Sequence, residues 1–333
     1  MARWFLSFCF VLIAPVVQAG YCTGTDLRAT LSDQEQAQIA RAVQTVPFAH
    51  DNHWIARRGD QTIHIIGTMH LDDPRWDPVM DQLGPIVSGV ERLFVEMTDA
   101  DQADMQNALS RQPEKVFITQ GPTLPELLPE QEWQQLSAAM AERGVPGFIA
   151  SKMQPWMQTL MLGMPACAIE NPSLAKGGLD LRLMDIARDA GVPVQSLEGF
   201  EELYSVLAEG TVEEQLSILM ATLPFADDSE DHFATTAGFY FDEETAAAWE
   251  FARLLSHRQL EMTPQEIEAV LAEFKSKLLD RRNQAWMRPL LTAPEARIAV
   301  AVGGLHLMGE QGVLNLLVQA GFTMERAPFR SDP

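Results

Sequence analysis

The chain has 333 residues, with 46 acidic and 24 basic side chains and a formal net charge of −22 at pH 7. Such an acidic surface repels nucleic-acid phosphates and anionic lipid headgroups, so neither is an expected partner. With 47% apolar residues the chain can bury a real core, and its length allows one large or two ordinary domains. Because no Ser/Gly/Pro-rich linker divides it, we expect a single domain over residues 20–333.

The first 19 residues have the pattern of a secretory signal peptide. Arg3 supplies the positive start, residues 4–17 are apolar, and Val17-Gln18-Ala19 suits cleavage after a small residue. The apolar stretch is shorter than the roughly 20 residues that a membrane-spanning helix needs, so we expect no stable membrane span. The sequence predicts an exported protein, periplasmic or secreted, and leaves its oligomeric state open.

Two cysteines, Cys22 and Cys167, lie beyond this segment. An oxidising compartment would allow them to pair and to tie the N-terminal segment to the middle of the chain. Two buried thiols are the alternative, because the sequence does not show whether their Cα atoms come close enough.

The first predicted elements are a helix and a hairpin. Ser32 and Glu35 form a capping-box pattern that opens a helix ending near residue 43. Residues 54–56 and 62–66 are strand-like and flank a turn at Gly59, which predicts a β-hairpin.

The second hairpin strand leads into the first of two similar units. It stops at Gly67, His70 follows three residues later, residues 78–90 are apolar at helical spacing, and a second apolar run over 93–95 ends at Glu96. A strand, loop, helix and strand in this order favour parallel strands with a right-handed crossover. We therefore expect His70 and Glu96 at the same edge of two neighbouring strands.

The end of the chain repeats this order. Residues 298–302 are an apolar run, and Gly303 and His306 then reproduce the Gly-x-x-His-Leu spacing. A helical stripe over 313–318 and a strand over 322–324 complete the unit. This repeat predicts an α/β fold with a pseudo-two-fold, mixed or parallel central sheet flanked by helices.

Between the units, helical patterns cover 130–143 and 179–190, and a buried strand over 192–197 ends on Glu198. The region at about 213–288 has helical patterns and no strand, so we expect a helical insert or lid there. Its longest helix opens with a capping box at Thr263.

The residues that follow the predicted strands are candidates for chemistry. His70, Glu96 and His306 are a donor set known for zinc, manganese or iron, which would activate a bound water molecule. The alternative is that both histidines cap strand ends by hydrogen bonds to the backbone. Glu198 is a candidate ligand, general base or support for a histidine, with a surface acid as the alternative. Arg282 and Asn283 are candidate oxyanion or carboxylate binders, with a salt-bridged helix end as the alternative.

Several motifs together resemble the TraB/PrgY/GumN-like proteins, which include the Tiki proteases and are distantly related to the erythromycin-esterase and ChaN-like folds. The resemblance covers most of the chain, is strongest to the bacterial GumN-like branch, and rests on ordered motifs: Gly67-Thr68-Met69-His70, Phe94-Val95-Glu96, Lys152-Met153-Gln154-Pro155-Trp156, Gly178-Leu179-Asp180, Ser196-Leu197-Glu198, Arg282-Asn283 and Val302-Gly303-Gly304-Leu305-His306-Leu307.

The resemblance implies a pseudo-symmetric α/β fold in which both Gly-x-x-His motifs and a strand-end glutamate share one site. The resemblance to the Tiki-like members implies metal-dependent cleavage of peptides. The more distant resemblance to the erythromycin esterases implies ester hydrolysis by an activated water molecule. Applied to this chain, the resemblance implies that a divalent metal ion (Mn, Co or Zn) is held by His70, Glu96 and His306. It also implies that Glu198 and Arg282 act as catalytic residues.

These observations predict an exported metal-dependent hydrolase, most simply a peptidase, with a peptide or small-molecule substrate. The alternative is a non-catalytic protein that sequesters a peptide, haem or metal ion, or an accessory protein of polysaccharide export.

Overall fold

A computed structural model describes residues 22–171, 173–174 and 177–329 of the chain. The predicted signal peptide lies outside the described residues. Six strands are described: β1 (His53–Arg58), β2 (Gln61–Thr68), β3 (Arg92–Val95), β4 (Val194–Ser196), β5 (Arg297–Gly303) and β6 (Thr323–Arg326). The α-helices are α1 (Asp33–Val43), α2 (Trp76–Gly89), α3 (Asp99–Arg111), α4 (Leu124–Leu127), α5 (Glu130–Glu142), α6 (Gly147–Ala150), α7 (Pro155–Gly163), α8 (Ala166–Glu170), α9 (Leu179–Asp189), α10 (Phe200–Leu207), α11 (Val212–Thr222), α12 (Ser229–Phe241), α13 (Thr245–Gln259), α14 (Pro264–Lys275), α15 (Arg281–Thr292) and α16 (Val313–Gln319).

The strands form one mixed sheet in the order β4-β3-β5-β2-β1-β6. The four strands from β4 to β2 are parallel, whereas β1 is antiparallel to both β2 and β6. The predicted hairpin is confirmed as β1 and β2, and the predicted mixed α/β fold is confirmed by this sheet and its flanking helices.

The expectation that β2 and β3 are neighbours is wrong, because β5 lies between them and pairs with both. The five side chains over 298–302 are completely buried, which suits a strand covered on both faces at the centre of a sheet. His306, which follows β5, therefore leaves the sheet edge between the chain segments that carry His70 and Glu96.

The two units cross the sheet on opposite faces. In β5, Ala299 and Ala301 face a core shared with α2 and α9, whereas Ile298, Val300 and Val302 face a core shared with α15 and α16. The unit β2-α2-β3 runs towards one sheet edge and β5-α16-β6 runs towards the other. Opposite directions on opposite faces give the approximate two-fold relation that the repeated motif predicts.

Two strand-free regions are built from helices. One runs from α3 to α8, and the other runs from α10 to α15, so it extends beyond the predicted 213–288 at both ends. Within the second, a π-helical turn (Ser276–Asp280) joins α14 and α15 into one continuous helix. None of the helices in the described residues is long and apolar enough to cross a membrane.

Cys22 and Cys167 form a disulfide, with their Cα atoms 5.6 Å apart, so pairing rather than two free thiols describes them. The bond links the start of the described chain to α8 across 145 residues. Because a crosslink across so long a loop restricts the unfolded chain, replacing both cysteines by serine should cost about 2–5 kcal/mol of unfolding free energy. Urea denaturation of both proteins measures this cost.

Added reductant provides the control. It should lower the urea midpoint of wild type and leave that of the double variant unchanged. An unaltered wild-type midpoint would contradict the prediction.

Candidate active site

The side chains that follow β2, β3 and β5 meet at the carboxyl edge of the sheet. Gly303, at the end of β5, lies at the centre of this group. A Cβ atom built on Gly303 would lie 3.3 Å from Glu96 Oε1, 3.6 Å from His306 Cδ2 and 3.7 Å from His70 Nε2. The backbone N–H of Gly303 also donates to Glu96 Oε1 at 2.7 Å. The three predicted metal ligands are therefore brought together around a glycine that leaves room between them.

Arg282 joins both glutamates to one histidine. Its Nε donates to the two carboxylate oxygens of Glu198 at 2.9 and 3.1 Å. Its Nη2 donates to Glu96 Oε2 at 2.7 Å and also to Glu198. Its Nη1 donates to the carbonyl of Leu278 at 2.9 Å and faces His306 Nε2 at 3.2 Å. These contacts match the five N–H groups of a guanidinium, so Arg282 has no donor left for a substrate oxyanion.

The π-helical turn before α15 sets the direction of these side chains. A π turn is wider than an α turn, so it changes which residues face the sheet, and such turns recur at functional sites. Arg282 faces the two glutamates, and Asn283 faces His306. Arg281, one residue earlier, instead pairs with the partly exposed Glu209.

The contacts of His306 define its tautomer. Asn283 Nδ2 donates to the carbonyls of His306 and Gln311, so its Oδ1 is the acceptor that faces His306 Nδ1 at 2.6 Å. Nδ1 therefore carries the proton, and Nε2 accepts from Arg282. Burial lowers the pKa of His306 to about 4, against the opposing charge of Glu96. His306 is therefore neutral at pH 7.

His70 has the opposite electrostatic environment. Its Nδ1 lies 3.2 Å from Asp180 Oδ1, in the first turn of α9. Desolvation within the site lowers the pKa of His70, but the hydrogen bond to Asp180 and the charges of Asp180 and Glu96 outweigh it and raise the pKa. Because 61% of its side chain is exposed, His70 can exchange protons with solvent. We conclude that His70 is predominantly an imidazolium at neutral pH.

The two glutamates also differ in pKa. Burial favours the neutral acid at both positions. For Glu96 the charge of His306, which is protonated only below about pH 4, and the charges of Arg282 and His70 outweigh burial and lower the pKa to about 2. For Glu198 burial outweighs the contacts with Arg282, so its pKa is raised above the ordinary value. Glu198 is therefore the stronger base of the two.

A cavity of about 240 Å³ opens beside these groups. Its polar lining includes His70, Asp180 and Glu198, together with Glu96 and Arg282, and His306 lies behind that lining. A second cavity of about 480 Å³ adjoins the other side of Glu198 and Arg282. A larger cavity, about 810 Å³, lies between α1 and α12, away from this acid and base chemistry. We therefore place the candidate site at the smaller cavity.

The donor types suit a divalent metal ion, but in this arrangement the lone pair of His306 Nε2 and one lone pair on each Glu96 oxygen are engaged. Arg282 donates to His306 Nε2 and Glu96 Oε2, and Gly303 donates to Glu96 Oε1. In the part of the chain that the structure describes, no group of three or more His, Cys, Asp or Glu side chains is arranged to hold a metal ion. As arranged, these side chains do not fit an ion held by all three, because Arg282 would first have to withdraw.

Comparison with known proteins agrees with the sequence motifs. The profile of the TraB/PrgY/gumN family matches residues 52–326, which include every side chain of the site. The chain belongs to the TraB/PrgY/gumN family. Two relatives, both named uncharacterized protein YbaP, come from Escherichia coli (strain K12) and Shigella flexneri. Each is 26% identical over 264 residues, a match that covers 78% of this chain and 89% of the relative.

Two contributions to this TraB/PrgY/gumN site differ from the sequence expectations: Asp180 had no role assigned, and Asn283 had a different one. Asp180 belongs to a family motif, yet only the folded chain brings it to His70, 110 residues away. Gly178 permits this approach, since a Cβ there would lie 2.5 Å from the carbonyl oxygen of His70. Asn283 was expected, with Arg282, to bind an oxyanion or a carboxylate, but its side chain contacts His306 and Gln311 and fixes the proton on His306. A helix that opens with Gly-Leu-Asp was the available signal for Asp180.

Proposed function

We propose that this protein is a hydrolase that adds water to the carbonyl group of a peptide or a small-molecule ester or amide. The observation that supports it best is the separation of pKa values around one cavity: His70 is held as an acid and Glu198 as a base. Groups whose environments push their protonation states apart are typical of acid and base pairs in catalysis.

In the proposed reaction, the carboxylate of Glu198 takes a proton from a water molecule, and the oxygen of that water molecule attacks the carbonyl carbon of the substrate. The tetrahedral oxyanion then collapses, and the bond to the leaving nitrogen or oxygen breaks. His70 gives that leaving atom a proton, and Asp180 stabilises the imidazolium beforehand. Transfer of the proton from Glu198 to His70 through solvent restores both groups.

Arg282 and His306 act through other residues in this proposal. Arg282 donates hydrogen bonds to both glutamates and so fixes their positions. His306 accepts a hydrogen bond from Arg282 and is itself oriented by Asn283. Both are positioning residues, which revises the sequence expectation that Arg282 contacts the oxyanion.

A metal-dependent form of the same hydrolase remains the second candidate. The convergence of His70, Glu96 and His306 around Gly303 favours it, provided that Arg282 first withdraws from His306 and Glu96. Mn, Co or Zn held there would lower the pKa of a bound water molecule.

We also propose export to the periplasm or medium. The N-terminal residue pattern supports it, as does the disulfide, because such bonds persist in oxidising compartments.

Turnover by the purified protein tests the proposed function. A quenched fluorescent peptide library and p-nitrophenyl esters should be assayed before and after chelation, with metal content measured on the same samples. The Glu198→Gln chain, purified identically, controls for contaminating hydrolases. Turnover that survives chelation supports the acid and base reaction, and turnover restored only by Mn, Co or Zn supports the metal-dependent form. Binding of a peptide, haem or metal ion without turnover in either class would overturn the hydrolase in favour of a sequestering protein.

A further inference from the structure

Thr68 is a buried polar residue for which the described part of the chain provides no partner. It is the last residue of β2, is 3% exposed and lines the 240 Å³ cavity. Within the described residues its Oγ1 makes no hydrogen bond. In the sheet it pairs with Gly303, which has no side chain to cover the hydroxyl. The hydroxyl is therefore buried at the candidate site without a hydrogen-bond partner among the residues that the structure describes.

Stability alone does not explain a threonine at this position. A buried hydroxyl without a hydrogen bond costs about 1–3 kcal/mol, whereas valine has nearly the same shape and no such cost. Both residues are β-branched and suit a strand equally. A buried polar group without a partner in a native structure calls for a functional explanation or an ordered water molecule.

The neighbouring side chains indicate what the hydroxyl could contact. Val95 and Ala301 line the cavity with Thr68, and Met97, Met105 and Leu203 add an apolar lining. A cavity of about 240 Å³ is below the usual size of a site for a drug-sized molecule, so it suits a single small apolar group. The proposed reaction also needs a donor for its oxyanion, and the N–H groups of Arg282 are already engaged.

We propose that the Thr68 hydroxyl donates a hydrogen bond to the carbonyl oxygen of a small apolar acyl group bound in this cavity. The inference rests on the proposed hydrolase and adds to it a substrate class and an oxyanion donor. The hydroxyl keeps its proton throughout, and its bond strengthens as the carbonyl oxygen gains negative charge. Acyl groups of about four carbons should fit, and long fatty acyl chains should not.

The test compares Thr68→Val with Thr68→Ser, using p-nitrophenyl butyrate and p-nitrophenyl tetradecanoate. Thr68→Val should lower kcat for the butyrate ester about 100-fold, as expected for loss of one oxyanion donor. KM should rise only a few-fold, far less than kcat falls, and Thr68→Ser should recover most of the rate. The valine protein should be at least as stable to urea as wild type. The tetradecanoate ester should be a poor substrate for every variant.

Thr62→Val is the matched control on the same strand, because the Thr62 hydroxyl accepts a bond from the exposed Arg57. It should leave kcat unchanged. A valine protein with wild-type kcat, or one that is less stable and regains kcat when stability is restored, would overturn the inference and assign Thr68 to structure.

A binding measurement separates this inference from the hydrolase proposal. Isovaleramide, a small amide, can be titrated by NMR whether or not the protein turns over any ester. If wild type binds it without ester or peptide turnover, and Thr68→Val weakens binding at least threefold, the hydrolase fails while the acyl contact stands. Equal binding by both proteins would overturn the contact itself.

Discussion

Replacing Arg282 by methionine is expected to lower the unfolding free energy by about 3–5 kcal/mol at pH 7. The Arg282 side chain is only 10% exposed and lies between Glu96 and Glu198. Removing one member of a buried ionic group leaves the others charged and unpaired, which costs more than the lost attraction. Urea denaturation followed by circular dichroism measures the change.

The pH dependence of this loss has a defined sign. In wild type the pKa of Glu96 is lowered to about 2, so its charge stabilises the fold above the ordinary pKa and stops doing so as pH falls towards 2. Burial raises the pKa of both glutamates and the charge of Arg282 lowers it, so both pKa values rise when Arg282 is removed. As pH falls, both glutamates therefore protonate at higher pH in the variant than in wild type, and the difference in unfolding free energy between the two proteins should narrow.

Arg281→Met is the matched control for this prediction. Arg281 is the adjacent residue on α15, and its ion pair with Glu209 has both side chains more than 40% exposed. Exposed pairs contribute about 0–1 kcal/mol, so this variant should stay close to wild type at every pH. Equal losses for the two variants would contradict the central position assigned to Arg282.

Local sequence patterns predicted the elements of the fold because they depend on neighbouring residues. The capping boxes at Ser32 and Thr263 open helices in the structure, and the run over 298–302 is a fully buried strand. The order of strands was harder to predict. Inserting β5 between β2 and β3 depends on pairing across about 200 residues, and the same sequence pattern allows β2 and β3 to be adjacent.

The site shows the same division. His70, Glu96 and His306 were identified because each follows a strand, and parallel strands deliver such residues to one edge. Their contacts could not be predicted, because Arg282 reaches that edge through a π-helical turn with no sequence signal that we recognised. The positive charge between Glu96 and His306 is therefore the guanidinium of Arg282, where the sequence predicted a metal ion.

The pH dependence of turnover provides the sharpest test of the proposed acid. The kcat/KM profile should be bell-shaped, because Glu198 must be ionised and His70 protonated in the free enzyme. Its acidic limb should lie above the ordinary glutamate pKa, and its alkaline limb above the ordinary histidine pKa, since both values are raised. His70→Gln should lower kcat/KM by about 10²–10⁴ and remove the alkaline limb.

Asp180→Asn then separates a catalytic His70 from a structural one. Asparagine removes the carboxylate charge that raises the pKa of His70, so the alkaline limb should move to lower pH, towards about 6.5, while the acidic limb stays in place. Asp185→Asn is the control, because Asp185 lies on the same helix and its ion pair with Arg188 is exposed. An alkaline limb that stays fixed in Asp180→Asn would assign that limb to another group. His70 would then have no part in proton transfer, because removing the Asp180 charge must lower the pKa of His70 and so move any limb that reports on it.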